Sequence, residues 1–382
     1  MKKIKVTEFI RNIIRGRNGA QPDWYLVGLI GFLVLFGLVM LSSAGVAAGW
    51  QKFNDSYWYV KHQIIFGLIP GLVLFVILSR LDYYKLKFLA GPLLFISIGL
   101  LILVFVPGVG ASWGTARSWI NVFGFSLQPS EIVKLTYLIY LVSWLSNKEE
   151  KHLKDFHQGF LPFIFVLAII TVLMLIQPDT GTMLIIVATS LLVYFVAGGS
   201  YWYLAGLSGL GAAGLFLLIK TSAYRAQRLT TFLHPELDPQ GIGYHINQAL
   251  LAVGSGGWLG RGFGHSRQKF AYLPEVCGDS IFAVIAEELG FILSAALVVV
   301  FILLFLRALK ISQKCPDSFG ALLAAGIIIW FTIQAFLNIG AIVAILPLTG
   351  ITLPFISYGG TSLMVCLAAA GILVNISKQS NG

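Results

Sequence analysis

The stretch Trp24–Leu41, WYLVGLIGFLVLFGLVML, carries eighteen residues without a charge. A helix rises about 1.5 Å per residue, and a bilayer core is about 30 Å thick. With the small residues that follow it to Ala47, the run is long enough to cross. It sits behind a basic stretch (Lys2, Lys3, Lys5, Arg11, Arg15, Arg17) and ahead of Ser42–Gly49, which is the order of a secretory signal. The apolar part of such a signal spans only about 7–15 residues. The run therefore reads as a retained first membrane helix.

Nine further apolar runs follow, at 62–79, 88–106, 129–145, 160–177, 183–199, 202–219, 280–306, 319–344 and 357–377. The sixth and seventh of the ten are separated only by Gly198–Tyr201, which predicts a tight hairpin. Of the 382 residues, 57% are hydrophobic and 11% charged. Mean hydropathy is +0.85. Soluble domains run at about 25% charged, so lipid has to be part of this chain's solvent. The fold class that follows is all-α: a polytopic membrane protein of about ten transmembrane helices. It forms one domain over 1–382, with a cytoplasmic tail at 1–23. One large extracytoplasmic loop at 220–279 lies between helices 7 and 8.

The net charge of +10 raises nucleic acid as a partner, but the placement of the charges argues against it. Of 26 Lys and Arg, 16 fall on the segments that share a side with the N-terminus and 3 on the short segments opposite. Lys134 lies inside a run, and the other 6 lie in the long loop. Long loops translocate largely regardless of charge, so the bias puts both termini in the cytoplasm of a multi-pass protein. Cys277, Cys315 and Cys366 fall outside, inside and within a helix, which predicts no disulfide. Tyr57, Trp58 and Tyr59 suit interfacial anchors. Tyr244–Val253 has Ile246, Leu250, Leu251 and Val253 at helical spacing, the pattern of an interfacial amphipathic helix. The six histidines read as edge, surface or packing groups.

Ionisable groups inside a membrane are costly and tend to be functional. In Gln128-Pro129-Ser130-Glu131, continuing to Lys134, Glu131 and Lys134 are three apart and share a helix face. They form either a structural ion pair or a site where Lys134 meets an anionic head group. Glu275 and Asp279 precede the eighth run, with Glu287 and Glu288 inside it. Asp279 could simply cap that helix. Four carboxylates at one entrance point instead to proton acceptance or metal binding. Gln177-Pro178-Asp179-Thr180-Gly181-Thr182 reads as a hairpin turn. Leu353 to Gly360, with Pro347 upstream, predicts irregular backbone at membrane depth. Such backbone lines protein or a water-filled cavity.

Six segments carry a resemblance: Ala116 to Ile120 (ARSWI), Leu127 to Lys134 (LQPSEIVK), Gln177 to Thr182 (QPDTGT), Ser266 to Glu275 (SRQKFAYLPE), Ile281 to Phe291 (IFAVIAEELGF) and Leu353 to Gly360 (LPFISYGG). In this order they resemble the SEDS family, the shape, elongation, division and sporulation proteins FtsW, RodA and SpoVE. The SRQKF–YLPE wording is similar to the FtsW/SpoVE branch.

The resemblance implies a peptidoglycan glycosyltransferase in the bacterial cytoplasmic membrane. It would polymerise lipid II, an undecaprenyl-diphosphate disaccharide-pentapeptide, beside a class B penicillin-binding protein and membrane lipid. It implies Asp279 as the catalytic carboxylate. It places Arg117, Trp119, Gln128, Ser130, Glu131, Lys134, Gln177, Asp179, Ser357, Tyr358 and Gly359 at the substrate. The family usually has His-Thr-Asp-Phe where this chain reads Cys277-Gly278-Asp279-Ser280, and many relatives have an Arg adjacent to the Trp where this chain has Arg117 two before Trp119. The expected mechanism has Asp279 as general base for the acceptor hydroxyl, with Arg117 and Lys134 on the departing diphosphate. Inversion of an α-linked donor would give a β-1,4 bond. The chemistry has room for Mg²⁺ or Mn²⁺ at Glu275 or Asp279. Nothing points to an organic cofactor. The competing readings are a lipid II flippase and a non-catalytic scaffold for the penicillin-binding protein.

Overall fold

A computed structural model describes residues 21–108, 110–113, 116–122, 125–221, 232 and 241–380. Most of the expected 1–23 tail and much of the first part of the 220–279 loop lie outside the described residues.

Helix α1 (Trp24–Phe53) is followed by α2 (Trp58–Arg80, with a π turn at Ile64–Leu68), α3 (Tyr84–Phe88) and α4 (Ala90–Leu103). Strands β1 (Gly110–Trp113), β2 (Ala116–Val122) and β3 (Phe125–Leu127) come next. Then follow α5 (Pro129–Ser146), α6 (Glu150–Leu153), α7 (Phe156–Ile176), α8 (Thr180–Val196) and α9 (Tyr201–Thr221). The chain closes with α10 (Ile242–Ser255), α11 (Ile281–Lys314), α12 (Ser318–Ile342) and α13 (Gly360–Ser380). Every predicted run coincides with one of these helices. Among the described residues α1, α2, α7, α11, α12 and α13 are long and apolar enough to cross a membrane, and α4 and α8 are shorter apolar helices.

Local chemistry sets many of the boundaries. Asp23 accepts the Leu26 amide at 3.0 Å and Asp317 the Gly320 amide at 2.7 Å, so each caps a helix start. Pro129 occupies the first turn of α5, where its missing N–H costs nothing. The α8–α9 turn needs glycine: Gly198 has φ +91°, and a Cβ on Gly199 would meet the Tyr194 ring at 2.1 Å. The predicted hairpin is therefore two helices and not one long span.

The all-α bundle carries one small addition, a sheet in order β1-β2-β3, all antiparallel. Trp119 pairs with Ala111, Arg117 with Ser112 and Ile120 with Leu127. Ser118 and Ile120 are buried and Trp119 between them is half-buried, the two-residue alternation of a strand lying on the bundle. At seven residues or fewer, these strands are too short to stand out beside runs of twenty apolar residues.

The bundle is built around α13, of which 89% of the membrane-length window is buried. Glycines let α2 approach it: a Cβ on Gly71 would lie 2.7 Å from Leu367, and one on Gly371 would lie 2.6 Å from the Phe75 carbonyl. Close backbone approach of this kind replaces the hydrophobic drive that lipid removes.

Helix α11 is broken at Gly290 (φ +77°). The freed backbone is satisfied by the preceding loop. Arg261 N–H donates to Glu287 O at 3.0 Å, Gly262 N–H to Glu288 O at 2.9 Å, and Phe291 N–H to Gly257 O at 2.8 Å. Non-helical backbone among membrane helices is tolerable because protein pairs it. Helix α10 packs on α11 as an amphipathic helix, but through Ile246, Ala249 and Ala252. Leu250 and Leu251, predicted on its apolar face, point outward.

The bundle has two chemically distinct ends. At one, Arg307 Nε meets Asp23 Oδ2 at 2.6 Å, the Asp23 amide donates to Ser377, and the Tyr83 hydroxyl lies within hydrogen-bonding distance of Asp317 and Gln379. The start of α1 and the end of α13 thus share an end, which also carries Arg80 and Lys378. The opposite end holds Asn54–Tyr57, Gln128, Asp179, Cys277–Ser280 and Ser357–Gly359.

Candidate active site

Asp279 lies half-buried in the turn before α11, at the end of the bundle away from Asp23 and Ser377. Its main-chain carbonyl accepts from Asn338 Nδ2 at 2.8 Å, and the same nitrogen donates to Ile351 O at 2.7 Å. The Ser280 hydroxyl donates to Asp279 Oδ1 at 3.4 Å, and Ser280 Oγ lies 2.6 Å from His245 Nε2 on α10. Asp279 borders a tightly packed crevice with Asn338, Ile342, Leu348, Thr349 and Ile351. Helix α11 starts after Ser280, with no side-chain cap bond at its N-terminus.

Next to this crevice a polar seam runs into the bundle. Lys134 pairs with Glu131 at 2.8 Å, donates to Gln334 Oε1 at 2.8 Å and faces the Trp330 ring, with its side chain only 2% exposed. Gln334 in turn donates to Thr352 O at 2.9 Å, one residue from Ile351. At the mouth of the seam, Ser130 donates to Asp179 Oδ2 at 2.8 Å and Gln128 Nε2 to the same oxygen at 3.3 Å. The Gln128 amide donates to Thr361 at 3.2 Å. Asp179 also caps α8 through Thr182 N–H. Gly181 packs against Thr349 O so closely that a Cβ would sit at 2.6 Å. Side chains from LQPSEIVK and QPDTGT thus meet the loop before α13 around one seam.

The LPFISYGG segment is rigidly held. Gln63 Nε2 donates to Ser357 O at 3.1 Å, and Gln63 Oε1 accepts the Gly359 amide at 2.9 Å. Tyr358 N–H donates to Cys277 O at 2.8 Å, and its hydroxyl meets His62 Nδ1 at 2.9 Å. Ser357 Oγ accepts the Leu353 amide. Burial pushes the Tyr358 phenol above its ordinary range. Burial, and then the nearby Glu275 carboxylate, push the Cys277 thiol up to about 12.

Several expected roles change in this geometry. Glu287 and Glu288 do not join Asp279 at an entrance. Glu288 Oε1 takes Lys269 Nζ at 2.8 Å and the Ser43 hydroxyl at 2.7 Å. Glu287 accepts from the Ser266 hydroxyl and the Arg267 and Gln268 amides. Both are buried braces that fasten the 261–269 loop to α1 and α11. Lys134 and Glu131 pair with each other inside the bundle, with Glu131 Oε2 left buried and unpartnered. Gln177 is fully buried and donates to Leu101 O at 2.6 Å, a structural tie between α7 and α4. Trp119 is half-buried on β2. Arg117 is placed on β2 by backbone register, and its side chain lies outside what is described. Glu275 is exposed, with a left-handed φ of +45°.

The sequence profile of the cell cycle protein family FtsW/RodA/SpoVE matches residues 23–382. The chain belongs to this family. Among FtsW/RodA/SpoVE relatives, stage V sporulation protein E of Bacillus subtilis is 41% identical over 360 residues, covering 94% of this chain and 98% of its own. A probable peptidoglycan glycosyltransferase FtsW of Trichlorobacter lovleyi is 40% identical over 358 residues, with 94% and 93% covered. A chain from a peptidoglycan synthase complex, solved for its coordination of polymerization and crosslinking, superposes with a TM-score of 0.77. It shares 29% identity and covers 94% of this chain and 98% of its own. The rod shape determining protein RodA of Thermus thermophilus gives 0.68 at 29% identity, with 94% and 97% covered.

Within this FtsW/RodA/SpoVE fold, Gln334 and Asn338 belong to the candidate site, and the motifs did not flag them. They are buried polar side chains four apart on α12, one helical turn, and they join Lys134 to the Asp279 backbone through the Ile351–Thr352 loop. Two amides in the otherwise apolar run 319–344 were the available signal. His245, read from sequence as a surface or packing group, hydrogen-bonds Ser280 next to Asp279.

Proposed function

We propose that this protein is a peptidoglycan glycosyltransferase that joins lipid II into glycan strands, with Asp279 as the general base. The observation that carries the reading is the position of Asp279. It lies half-buried at the end of the bundle opposite the basic end, beside the seam where the Gln128, Asp179 and Thr352 segments meet. In this reading all ten principal helices cross the bacterial cytoplasmic membrane. Both termini and the basic end are cytoplasmic, and Asp279 faces the outer leaflet. The polyprenyl tail stays in lipid while the sugars reach Asp279.

The donor brings its own diphosphate leaving group, so the site needs a base for the acceptor hydroxyl and positive charge for the departing anion. Asp279 takes the hydroxyl proton, oriented by Ser280 and His245. Attack from the face opposite the diphosphate inverts the α-linked donor to a β-1,4 bond. Arg117 supplies charge to the diphosphate, and Trp119, Gln128, Ser130 and Asp179 shape the donor side. Lys134 and Glu131, with Tyr358 and Gly359, hold the surrounding loops. Glu275 and Asp279 are the carboxylates that would hold a divalent cation. Mg²⁺ commonly uses one or two carboxylates together with substrate phosphates. Among the described residues no group of three His, Cys, Asp or Glu forms a metal site by itself. When bound, such a cation would add positive charge at the leaving group.

The partner is a class B penicillin-binding protein that crosslinks the new strand. The test is to reconstitute the purified chain with such a partner in vesicles containing lipid II and to separate the products by length. Lengthening, muramidase-sensitive polymer is expected. Intact lipid II with the partner demonstrably bound would overturn the reading.

A further inference from the structure

Tyr137 on α5 and Thr189 on α8 are 2% and 5% exposed, and neither hydroxyl oxygen has a hydrogen-bond partner in the protein. Buried polar atoms are nearly always paired, so these two orphans call for an explanation. Thr189 is the sharper case. Elsewhere in the bundle a helical hydroxyl returns its proton to the carbonyl four residues back: Ser97 to Leu93 at 2.8 Å, Thr136 to Ile132 at 3.0 Å, Thr171 to Leu167 at 2.7 Å and Thr332 to Ile328 at 2.8 Å. Its own neighbour Ser190 does the same with Ile186 at 2.6 Å. Thr189 forgoes that bond.

Both residues line one cavity at the junction of α5, α8 and α12, together with Ser190, Lys134 and Trp330. The space open to the centre of a water is about 10 Å³. That is close to the least a single water needs, about 10–15 Å³, and too little for a larger guest. A cavity of this size is wet when about two to four polar groups face it. Tyr137 and Thr189 are two of them. Ser190 has given its proton to Ile186 O and keeps a lone pair. Lys134, one helical turn before Tyr137, spends two of its three N–H donors on Glu131 and Gln334, each at 2.8 Å. Its ammonium also disfavours a cation in the same space.

We propose that this junction is a binding site for one water molecule, which bridges the Tyr137 hydroxyl and Thr189 Oγ1 and takes the third N–H of Lys134. The water ties α5 to α8 where no side chain of one reaches an oxygen of the other. It also gives the buried ammonium a neutral partner that can reorient, beside the fixed oxygens of Glu131 and Gln334. The seam from Thr352 through Gln334 to Lys134 thereby continues inward to two hydroxyls. The site is independent of the glycosyl transfer assigned to Asp279.

The test uses the full chain in lipid nanodiscs, with water itself as the probe. A short X-ray pulse splits bound water into hydroxyl radicals that oxidise the side chain beside them, and mass spectrometry locates the added oxygen. Tyr137 should be oxidised despite its burial. Thr189→Val keeps the shape and removes one partner of the water, so it should cut that labelling about 5-fold, the affinity lost with one neutral hydrogen bond. Thr171→Val is the control, because the Thr171 hydroxyl is paired within its own helix, and it should leave Tyr137 labelling unchanged. Thermal unfolding reads the same site with opposite signs for the wet and dry cases. With water bound, Thr189→Val and Tyr137→Phe should each lower the melting temperature by about 2 °C. The double variant should lose less than the sum, because the two hydroxyls share one water. In a dry cavity each variant only removes a buried unpaired hydroxyl, and the melting temperature holds or rises. An unlabelled Tyr137 in the wild type, labelling that survives Thr189→Val, or single variants that melt no lower than wild type each overturn the site.

Discussion

Lys134 is met by Glu131, Gln334 and Trp330 at once, so its charge is compensated from several directions within the bundle. The second oxygen of Glu131 is buried without a partner, so the pair has no spare bonds to absorb a loss. Removing one member of a buried ion pair typically costs about 3–5 kcal/mol, because the other charge is stranded. Lys134→Met should therefore lower the melting temperature of the purified protein sharply. The double variant Glu131→Gln/Lys134→Met should recover most of it, and additive losses would show that the two side chains act independently. Cys277 offers a check on the outer turn. Burial and Glu275 both disfavour its thiolate, so its folded value lies above the ordinary thiol range, near 12. Thiolate chemistry needs the ionised form. Maleimide labelling of Cys277 in the folded protein should stay negligible from pH 7 to pH 9, where an exposed thiol would accelerate. Rapid labelling that rises through pH 8.5 would mean that the turn before Asp279 is open.

The broken helix α11 carries the elements that hold Asp279 in place. A Cβ on Gly290 would sit 2.2 Å from the Gly260 nitrogen, and its φ of +77° is one that only glycine adopts readily. Gly290→Ala should unpair the 257–262 loop, lowering the melting temperature and opening that loop to protease. Gly99→Ala, where a Cβ meets nothing within 4 Å, is the control and should be silent. Helices were legible from sequence because each apolar run had to be about twenty residues long, and every one of the ten proved helical. The break at Gly290 was not, because an EELGF segment in an apolar run reads as continuous helix. The pairing that permits the break comes from residues thirty positions upstream. The sheet escaped for a related reason. Its strands gain their burial by lying on α5, and that contact is invisible in a local pattern.

On the scale of the whole molecule, charge placement and motif order suggested a site at one end of the bundle and basic loops at the other. The structure has those two ends. Which motif residues face a substrate was less legible. Glu131, Lys134, Gln177, Glu287 and Glu288 looked functional because buried polar groups are rare, yet each is engaged in holding helices or loops together. Sequence spacing cannot separate a carboxylate that braces from one that reacts, since both must sit among apolar neighbours. In the proposed reading Asp279 is the one that reacts: it is half-buried beside the seam, and its backbone is pinned from α12. The measurement that tests this most directly is glycan polymer made from purified lipid II by wild type and by Asp279→Asn. Each is assayed with the class B partner and matched for melting temperature. Loss of a general base should lower the rate by about 10²-fold or more in the variant, and polymer yield equal to wild type would contradict the account.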